Sequence, residues 1–88
     1  MKNKLNNRIT TPILITGSSG FIGSNLTRTL VNSGYKPHVF LKKDSNIWRI
    51  KDIINKVIIH KVDLLEFKKI TKIVKIIKPK TIFHLATY

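Results

Sequence analysis

The sequence lacks cysteine, and it lacks any long apolar run. Without cysteine, disulfide bonds, cysteine-ligated zinc sites and cysteine nucleophiles are excluded. No apolar run approaches the ~20 residues that a transmembrane helix needs. The apolar stretch nearest the N-terminus, residues 13–15, is too short for the core of a signal peptide. We therefore expect a cytoplasmic protein without a transmembrane segment.

Acidic residues are also scarce. The 88 residues include four aspartates and glutamates against 17 lysines and arginines, which gives a formal net charge of +13. Such an excess favours an anionic partner: nucleic acid, a membrane surface or a phosphorylated ligand. The lysines are nevertheless spread along the whole chain. An ordinary fold with a lysine-rich solvent face is therefore a strong alternative explanation.

What the sequence does contain is an alternation of apolar runs and helical patterns. The predicted elements are a strand over 12–16, a helix from 19 or 20, a strand over 36–43, a weak helix within 44–56, a strand over 56–62, a helix opened by 63–66 and ended at Pro79, and a strand over 80–87. This alternation predicts an α/β fold, a Rossmann-like doubly wound parallel sheet of order 3-2-1-4. We expect one domain over 12–88, preceded by a basic flexible tail over 1–11.

Helical spacing also predicts which side chains face the sheet. The inward set is Ile22, Leu26 and Leu30, with Phe21 and Val31 alongside; Ile47, Ile50 and Ile54 in the weak helix; and Phe67, Ile70, Val74 and Ile77 in the last helix. The polar residues Ser24 and Thr27 are expected elsewhere on the surface of the first helix. The three histidines are interpreted as strand residues without a site, and His84 as a packed, hydrogen-bonded core residue.

The segment TGSSGFIG, residues 16–23, joins the first predicted strand to the first predicted helix. Gly17 can make the tight turn, Gly20 can let a pyrophosphate approach the backbone, and Gly23 can let the helix pack close to the strand. The free amides and positive end of the helix then face the phosphates. Ser18 and Ser19 add hydroxyl donors. A glycine-rich turn without a ligand is the less favoured alternative.

The spacing Thr16-Gly17-x-x-Gly20-x-x-Gly23 resembles the start of the extended short-chain dehydrogenases/reductases, the NAD-dependent epimerase/dehydratase family. The later segments GYKPHVFLKKDSN, VDLLE and KPKTIFHLAT resemble that family's second, third and fourth strands. The resemblance implies an NAD(P)-binding N-terminal segment of a sugar-nucleotide epimerase, dehydratase or related reductase. The cofactor-binding residues that it implies are Gly17, Ser19, Gly20, Phe21, Ile22, Gly23, Lys42, Lys43, Asp63, Leu64, Leu85 and Ala86.

The resemblance assigns parts of the cofactor to particular residues. Asp63 would bind the adenine amino group, with Leu64 beside the ring, and Leu85 and Ala86 would face the nicotinamide. An aspartate at this position is also a good N-cap for the helix that follows. The choice between NADP and NAD depends on the end of the second strand.

At that strand end an acid suits the ribose of NAD, whereas a basic residue suits the phosphate of NADP. Lys42 and Lys43 occupy the position, so we lean to NADP. Asp44 follows directly and could support NAD. The less favoured alternative is that both lysines are ordinary surface residues.

The catalytic residues of the resembling family, a Ser/Thr and Tyr-x-x-x-Lys, are missing, as is a substrate domain. Neither Tyr35 nor Tyr88 has a lysine four positions later. We therefore expect an N-terminal fragment without activity of its own, truncated after the fourth strand. It would come from a truncated or split reading frame, or be one piece whose exposed edge is completed by another polypeptide. The alternatives are a basic interaction protein that binds nucleic acid or an anionic membrane, and a relic without function.

Overall fold

The computed structural model describes residues 9–86 of the chain. Its elements are, in chain order, β1 (Ile13–Thr16), α1 (Phe21–Asn32), β2 (His38–Leu41), a 3₁₀ helix (Lys51–Lys56), β3 (Ile58–Lys61), α2 (Phe67–Ile77) and β4 (Thr81–His84). All strand pairs are parallel, and the sheet has the order β3-β2-β1-β4. The predicted fold class and strand order are confirmed.

A hydrophobic core lies on each face of the sheet, because helices pack against both faces. Successive side chains of a strand point to opposite faces, so β1 contributes Ile13 and Ile15 to one core and Leu14 to the other. The first core lies beneath α1 and the 3₁₀ helix, and the second beneath α2. This explains why β1 reads as a continuous apolar run.

The buried face of α1 differs from the predicted one. Leu30 is buried as expected, but Phe21 and Ile22 are each 70% exposed. Ser24 and Thr27 are buried instead, and their hydroxyls donate to the carbonyls of Phe21 and Gly23 at 2.9 Å and 2.7 Å. Because those bonds satisfy both hydroxyls, polar side chains can occupy the face that packs on the sheet.

The buried face of α2 is the predicted one, except at the first residue of the helix. Ile70, Val74 and Ile77 pack in the second core, whereas Phe67 is 72% exposed. The apolar face of α2 is therefore used inside the fold, which removes the main support for a membrane-lying helix. Within residues 9–86, no helix has the length and apolar character to span a membrane.

The predicted weak helix is observed as a short 3₁₀ segment, Lys51–Lys56, and the three residues predicted to face inward do so in and before it. Ile50 is fully buried, and Ile47 and Ile54 pack against the first core. Ile53, which the spacing missed, is also buried. The tighter repeat of a 3₁₀ helix places residues three apart on one face, which brings Ile50 and Ile53 together.

Residues 1–8 of the predicted N-terminal tail lie outside the described residues. Ile9 packs against the first core, and the carbonyl of Thr10 accepts a 2.8 Å hydrogen bond from the Thr81 hydroxyl. Residues 9 and 10 therefore contact the domain, next to β4.

Candidate functional site

The glycine segment forms a tight turn at the carboxyl end of β1. Gly17 has a φ of 75°, a conformation that favours glycine, and its carbonyl accepts a 3.2 Å bond from the Gly20 amide. The first helical bond of α1 runs from the Ser24 amide to the Gly20 carbonyl at 2.8 Å. The amides of residues 21–23 therefore precede that bond and are the ones an anion can use.

Gly20 and Gly23 have opposite surroundings. A Cβ on Gly23 would lie 1.9 Å from the Gly17 carbonyl oxygen, so the helix approaches the turn more closely than any side chain allows. A Cβ on Gly20 would have its nearest neighbour, the same oxygen, at 3.6 Å, an ordinary contact. Gly23 therefore permits helix–strand packing, and Gly20 leaves open space at the turn.

Thr16 fastens the turn to the end of β4. Its hydroxyl lies 2.7 Å from Nδ1 of His84 and accepts from the amides of Leu85 and Ala86 at 3.1 Å and 3.3 Å. Thr16 is buried, whereas His84 is exposed although hydrogen-bonded. The prediction that His84 belongs to the core is therefore wrong: its ring lies on the uncovered side of an edge strand.

These elements enclose a cavity of about 270 Å³ at the carboxyl ends of the strands, where ligands bind in open α/β sheets. It is lined by Thr16, Gly17, Ser19, Gly20, Phe40, Lys42, Ser45, Val62, Leu64, Leu85 and Ala86. Seven of the twelve predicted cofactor residues thus meet at one place. Sequence reasoning missed Thr16, Phe40, Ser45 and Val62; the position of the first two at or near strand ends is the signal that could have found them.

A second cavity lies beside the first and shares Lys42 and Val62 with it. Its lining combines four lysines with three acids: Lys42, Lys43, Lys61, Lys69, Asp44, Asp63 and Glu66, together with Val62. Lys61 and Lys69 come from β3 and α2 and were not predicted, because their pattern in the sequence is that of ordinary surface lysines. The cavity brings cationic groups from three parts of the chain to the adenosine end of the expected site.

Asp63 stabilises a turn rather than capping α2 directly. Its carboxylate accepts from the Leu65 amide at 2.9 Å, while its own amide donates to Oε1 of Glu66 at 2.8 Å. The N-cap of α2 is Glu66, without a side-chain cap bond. The N-cap prediction is therefore off by three residues, since the chain makes one extra turn before the helix begins.

The remaining predicted residues lie at the start of α1. Gly23 is buried on the side of α1 that faces the Gly17 carbonyl, and Ile22 is exposed. Phe21 lines a surface groove with Trp48 and Arg49 and does not line the cavity beside Gly20. Ser18 is fully buried, and within the described residues its hydroxyl has no hydrogen-bond partner. Of the two predicted hydroxyl donors, only Ser19 therefore reaches the cavity.

Comparison with known proteins agrees with this arrangement. The profile of the GDP-mannose 4,6 dehydratase family matches residues 14–88. The chain belongs to this family. A curated relative, GDP-mannose 4,6 dehydratase 2 of Arabidopsis thaliana, is 34% identical over 83 residues, which covers 83% of this chain and 22% of that protein. The expected resemblance to sugar-nucleotide dehydratases is thereby confirmed.

Solved structures of related enzymes share the fold. The dTDP-glucose 4,6-dehydratase of Bacillus anthracis, in complex with NAD, matches with a TM-score of 0.76 and 26% identity over 90% of this chain and 27% of its own. An epimerase from Methanothermobacter thermautotrophicus matches with a TM-score of 0.72 and 30% identity over 86% of this chain and 22% of its own. The chain thus spans about a quarter of the length of these relatives.

Proposed function

We propose that this chain binds a dinucleotide, with the pyrophosphate over the amino end of α1. The observation that carries the proposal is the open space at Gly20 beside a cavity at the carboxyl edge of the sheet. Backbone amides at a helix N-terminus and the positive end of the helix dipole favour a phosphate there. A related dehydratase with the same fold holds NAD.

We assign the two rings of the cofactor to the two ends of the cavity. Leu85 and Ala86, held by Thr16, would face the nicotinamide, while Leu64 and Asp63 would face the adenine. The ring-facing residues at both ends include apolar side chains, as flat ring systems require.

We further propose a preference for NADP over NAD. Lys42 and Lys43 line the second cavity together with Lys61 and Lys69. Four cationic side chains in one cavity support the binding of a ribose phosphate there. Asp44, Asp63 and Glu66 reduce the net positive charge there to a single unit. The positive charge that remains favours the anionic ribose phosphate of NADP over the neutral ribose hydroxyl of NAD.

Titration of NADP and NAD against the wild-type chain and Gly20→Val tests the binding proposal. Gly20 has a φ of −75°, which valine tolerates, and the space at its Cβ position is open. The variant should therefore keep its fold while its side chain fills the position of the pyrophosphate. We expect wild type to bind both nucleotides, NADP more tightly, and Gly20→Val to bind neither measurably.

Circular dichroism and thermal melting of both proteins supply the control for that titration. If the variant folds like wild type and both bind the nucleotides equally well or equally poorly, the proposal is overturned. Affinity for random DNA or anionic vesicles that is steeply salt-dependent and indifferent to Gly20→Val would support the alternative, a basic interaction protein.

The proposal is for binding without turnover. The relatives' activities belong to proteins about four times longer than the matched region. Within these 88 residues no tyrosine is followed four positions later by lysine. We therefore propose no reaction for this chain alone, and hydride transfer to an added sugar nucleotide would contradict that view.

We also propose that β4 accepts a strand from another polypeptide. In the described sheet β4 pairs only with β1, and Ile82 on this strand is 54% exposed. An apolar edge of this kind favours pairing with a second chain, and an edge lysine opposes it. We expect concentration-dependent association of the wild type in sedimentation velocity, reduced by Ile82→Lys. A wild-type monomer that unfolds cooperatively at every concentration would count against the proposal.

A further inference from the structure

The Thr16 hydroxyl is the centre of a hydrogen-bond junction between the glycine turn and the end of β4. The amides of Leu85 and Ala86 donate to its oxygen at 3.1 Å and 3.3 Å, and Nδ1 of His84 lies 2.7 Å away. A hydroxyl has one hydrogen to donate and two lone pairs that accept. Because the two amides occupy both lone pairs, the hydroxyl hydrogen is left for His84, and Nδ1 must be the acceptor.

This assignment determines the form of the His84 ring. A neutral imidazole carries its hydrogen on one nitrogen and accepts at the other, whereas a protonated imidazole donates at both. Since Nδ1 accepts, the ring is neutral and its hydrogen lies on Nε2. The His84 side chain is exposed, but Thr16 is only 4% exposed, so the Thr16 hydroxyl depends on a protein acceptor rather than on water.

The junction holds the peptide between Leu85 and Ala86 against the glycine turn. The same peptide packs on Gly17, where a Cβ would lie 2.8 Å from the Leu85 carbonyl carbon and 2.7 Å from the Ala86 nitrogen. Both residues line the cavity at the glycine turn. A hydroxyl whose hydrogen is placed on His84 keeps its lone pairs aimed at the two amides, whereas a hydroxyl without that acceptor can rotate away from them.

We propose that His84 is a positioning residue for the nicotinamide end of the dinucleotide site. It does not line the cavity and acts through the Thr16 hydroxyl, which it orients to hold Leu85 and Ala86. The inference rests on the proposed function for the assignment of this end to nicotinamide. A site that is ordered before its ligand arrives binds more tightly, because less freedom is lost on binding. Loss of the acceptor should therefore weaken NADP and NAD by the same factor, since both carry the same nicotinamide.

Nucleotide titration of His84→Phe and His84→Asn separates this role from a packing role. Phenylalanine keeps a flat ring of similar size but has no acceptor, whereas asparagine loses the ring but carries its acceptor Oδ1 as far along the side chain as Nδ1. We expect His84→Phe to weaken both nucleotides roughly fivefold, the worth of one hydrogen bond, and His84→Asn to bind like wild type. The reverse order would show that the bulk of the ring matters and would overturn the proposal.

Thr16→Val tests whether His84 acts through the hydroxyl. Valine keeps the branched shape of threonine without its oxygen, so a residue that acts through that oxygen can have no effect in this background. The nucleotide affinity of Thr16→Val/His84→Phe should therefore equal that of Thr16→Val alone. A further loss of affinity in the double variant would contradict the proposal.

Nuclear magnetic resonance without nucleotide tests the junction itself. In the wild-type chain, ring-nitrogen spectra of neutral His84 should show the hydrogen on Nε2. The Ala86 amide should exchange with solvent more slowly in wild type and His84→Asn than in His84→Phe. The Leu85 amide is a less sensitive reporter, because it also donates to the Thr16 main-chain carbonyl at 3.1 Å.

The resonance measurements also keep this inference distinguishable from the dinucleotide proposal. A hydrogen on Nδ1 of His84, or equal Ala86 exchange in all three proteins, overturns the role of His84 whether or not nucleotide binds. A wild-type chain that binds neither NADP nor NAD would refute the dinucleotide proposal, while the tautomer and the exchange rates would still decide whether His84 holds Leu85 and Ala86 in place.

Discussion

Replacing Gly23 with alanine is expected to lower the free energy of unfolding by about 3 kcal/mol or more. The added Cβ would stand 1.9 Å from the Gly17 carbonyl oxygen and 2.7 Å from its carbonyl carbon. Both are backbone atoms, and the same oxygen accepts the Gly20 amide, so neither can move without opening the turn. Alanine's better helix propensity recovers only about 1 kcal/mol. In a domain this small the remaining loss is a large share of the total stability.

Gly20→Ala is the matched control for that substitution. The same chemical change three residues earlier adds a Cβ whose nearest neighbour is 3.6 Å away, at a φ of −75°. We expect its urea midpoint to stay close to that of wild type, while Gly23→Ala unfolds at much lower urea. Equal midpoints for the two variants would show that α1 does not lie as close to the turn as the structure places it. Nucleotide titration of Gly20→Ala then reports on the cavity without a change of fold.

The glycine turn and the strand order were predictable because each leaves a local mark in the sequence. A β-strand, a tight turn and a helix N-terminus need particular residues at fixed spacing, and Gly17, Gly20 and Gly23 meet that need. The order of a parallel sheet follows from alternating elements joined by right-handed crossovers. The structure confirms both, and family membership agrees with them.

The buried face of α1 was not predictable from apolar spacing. Gly23 sets that face by its contact with Gly17, and Thr27 and Leu30 follow it one turn and two turns later. The apolar residues at the start of the helix therefore point outward, against the hydrophobic pattern. A backbone contact that needs the absence of a side chain gives no hydrophobic signal, so periodicity cannot detect it.

The side-chain contacts between strands could not be predicted from the sequence either. Thr16 contacts His84 across 68 positions of chain, and His38 contacts His60 across 22. Each contact depends on strand register, and a shift of one residue would send every side chain to the opposite face. The lysines of the second cavity pose the same difficulty, because nothing in their local sequence separates Lys61 from other exposed lysines.

The second large effect is expected from Leu30→Ala, which should lower the free energy of unfolding by about 2–5 kcal/mol. Leu30 is fully buried in the first core with Ile15, Val39 and Ile50. Truncation removes apolar contacts and leaves a cavity between α1 and the sheet that neither rigid element can close completely. Urea unfolding followed by circular dichroism measures the loss directly.

Ile76→Ala is the control for this core substitution, because truncation to alanine removes the same number of carbon atoms from isoleucine as from leucine. Ile76 is 80% exposed on α2, so its truncation should change stability by no more than about 0.5 kcal/mol. Similar losses for the two variants would mean that the helix layer over β1 is not packed as described. Under the proposed function α1 also supplies amides to the dinucleotide site. A loosened α1 in Leu30→Ala should then weaken nucleotide binding even where the chain remains folded, whereas Ile76→Ala should bind like wild type.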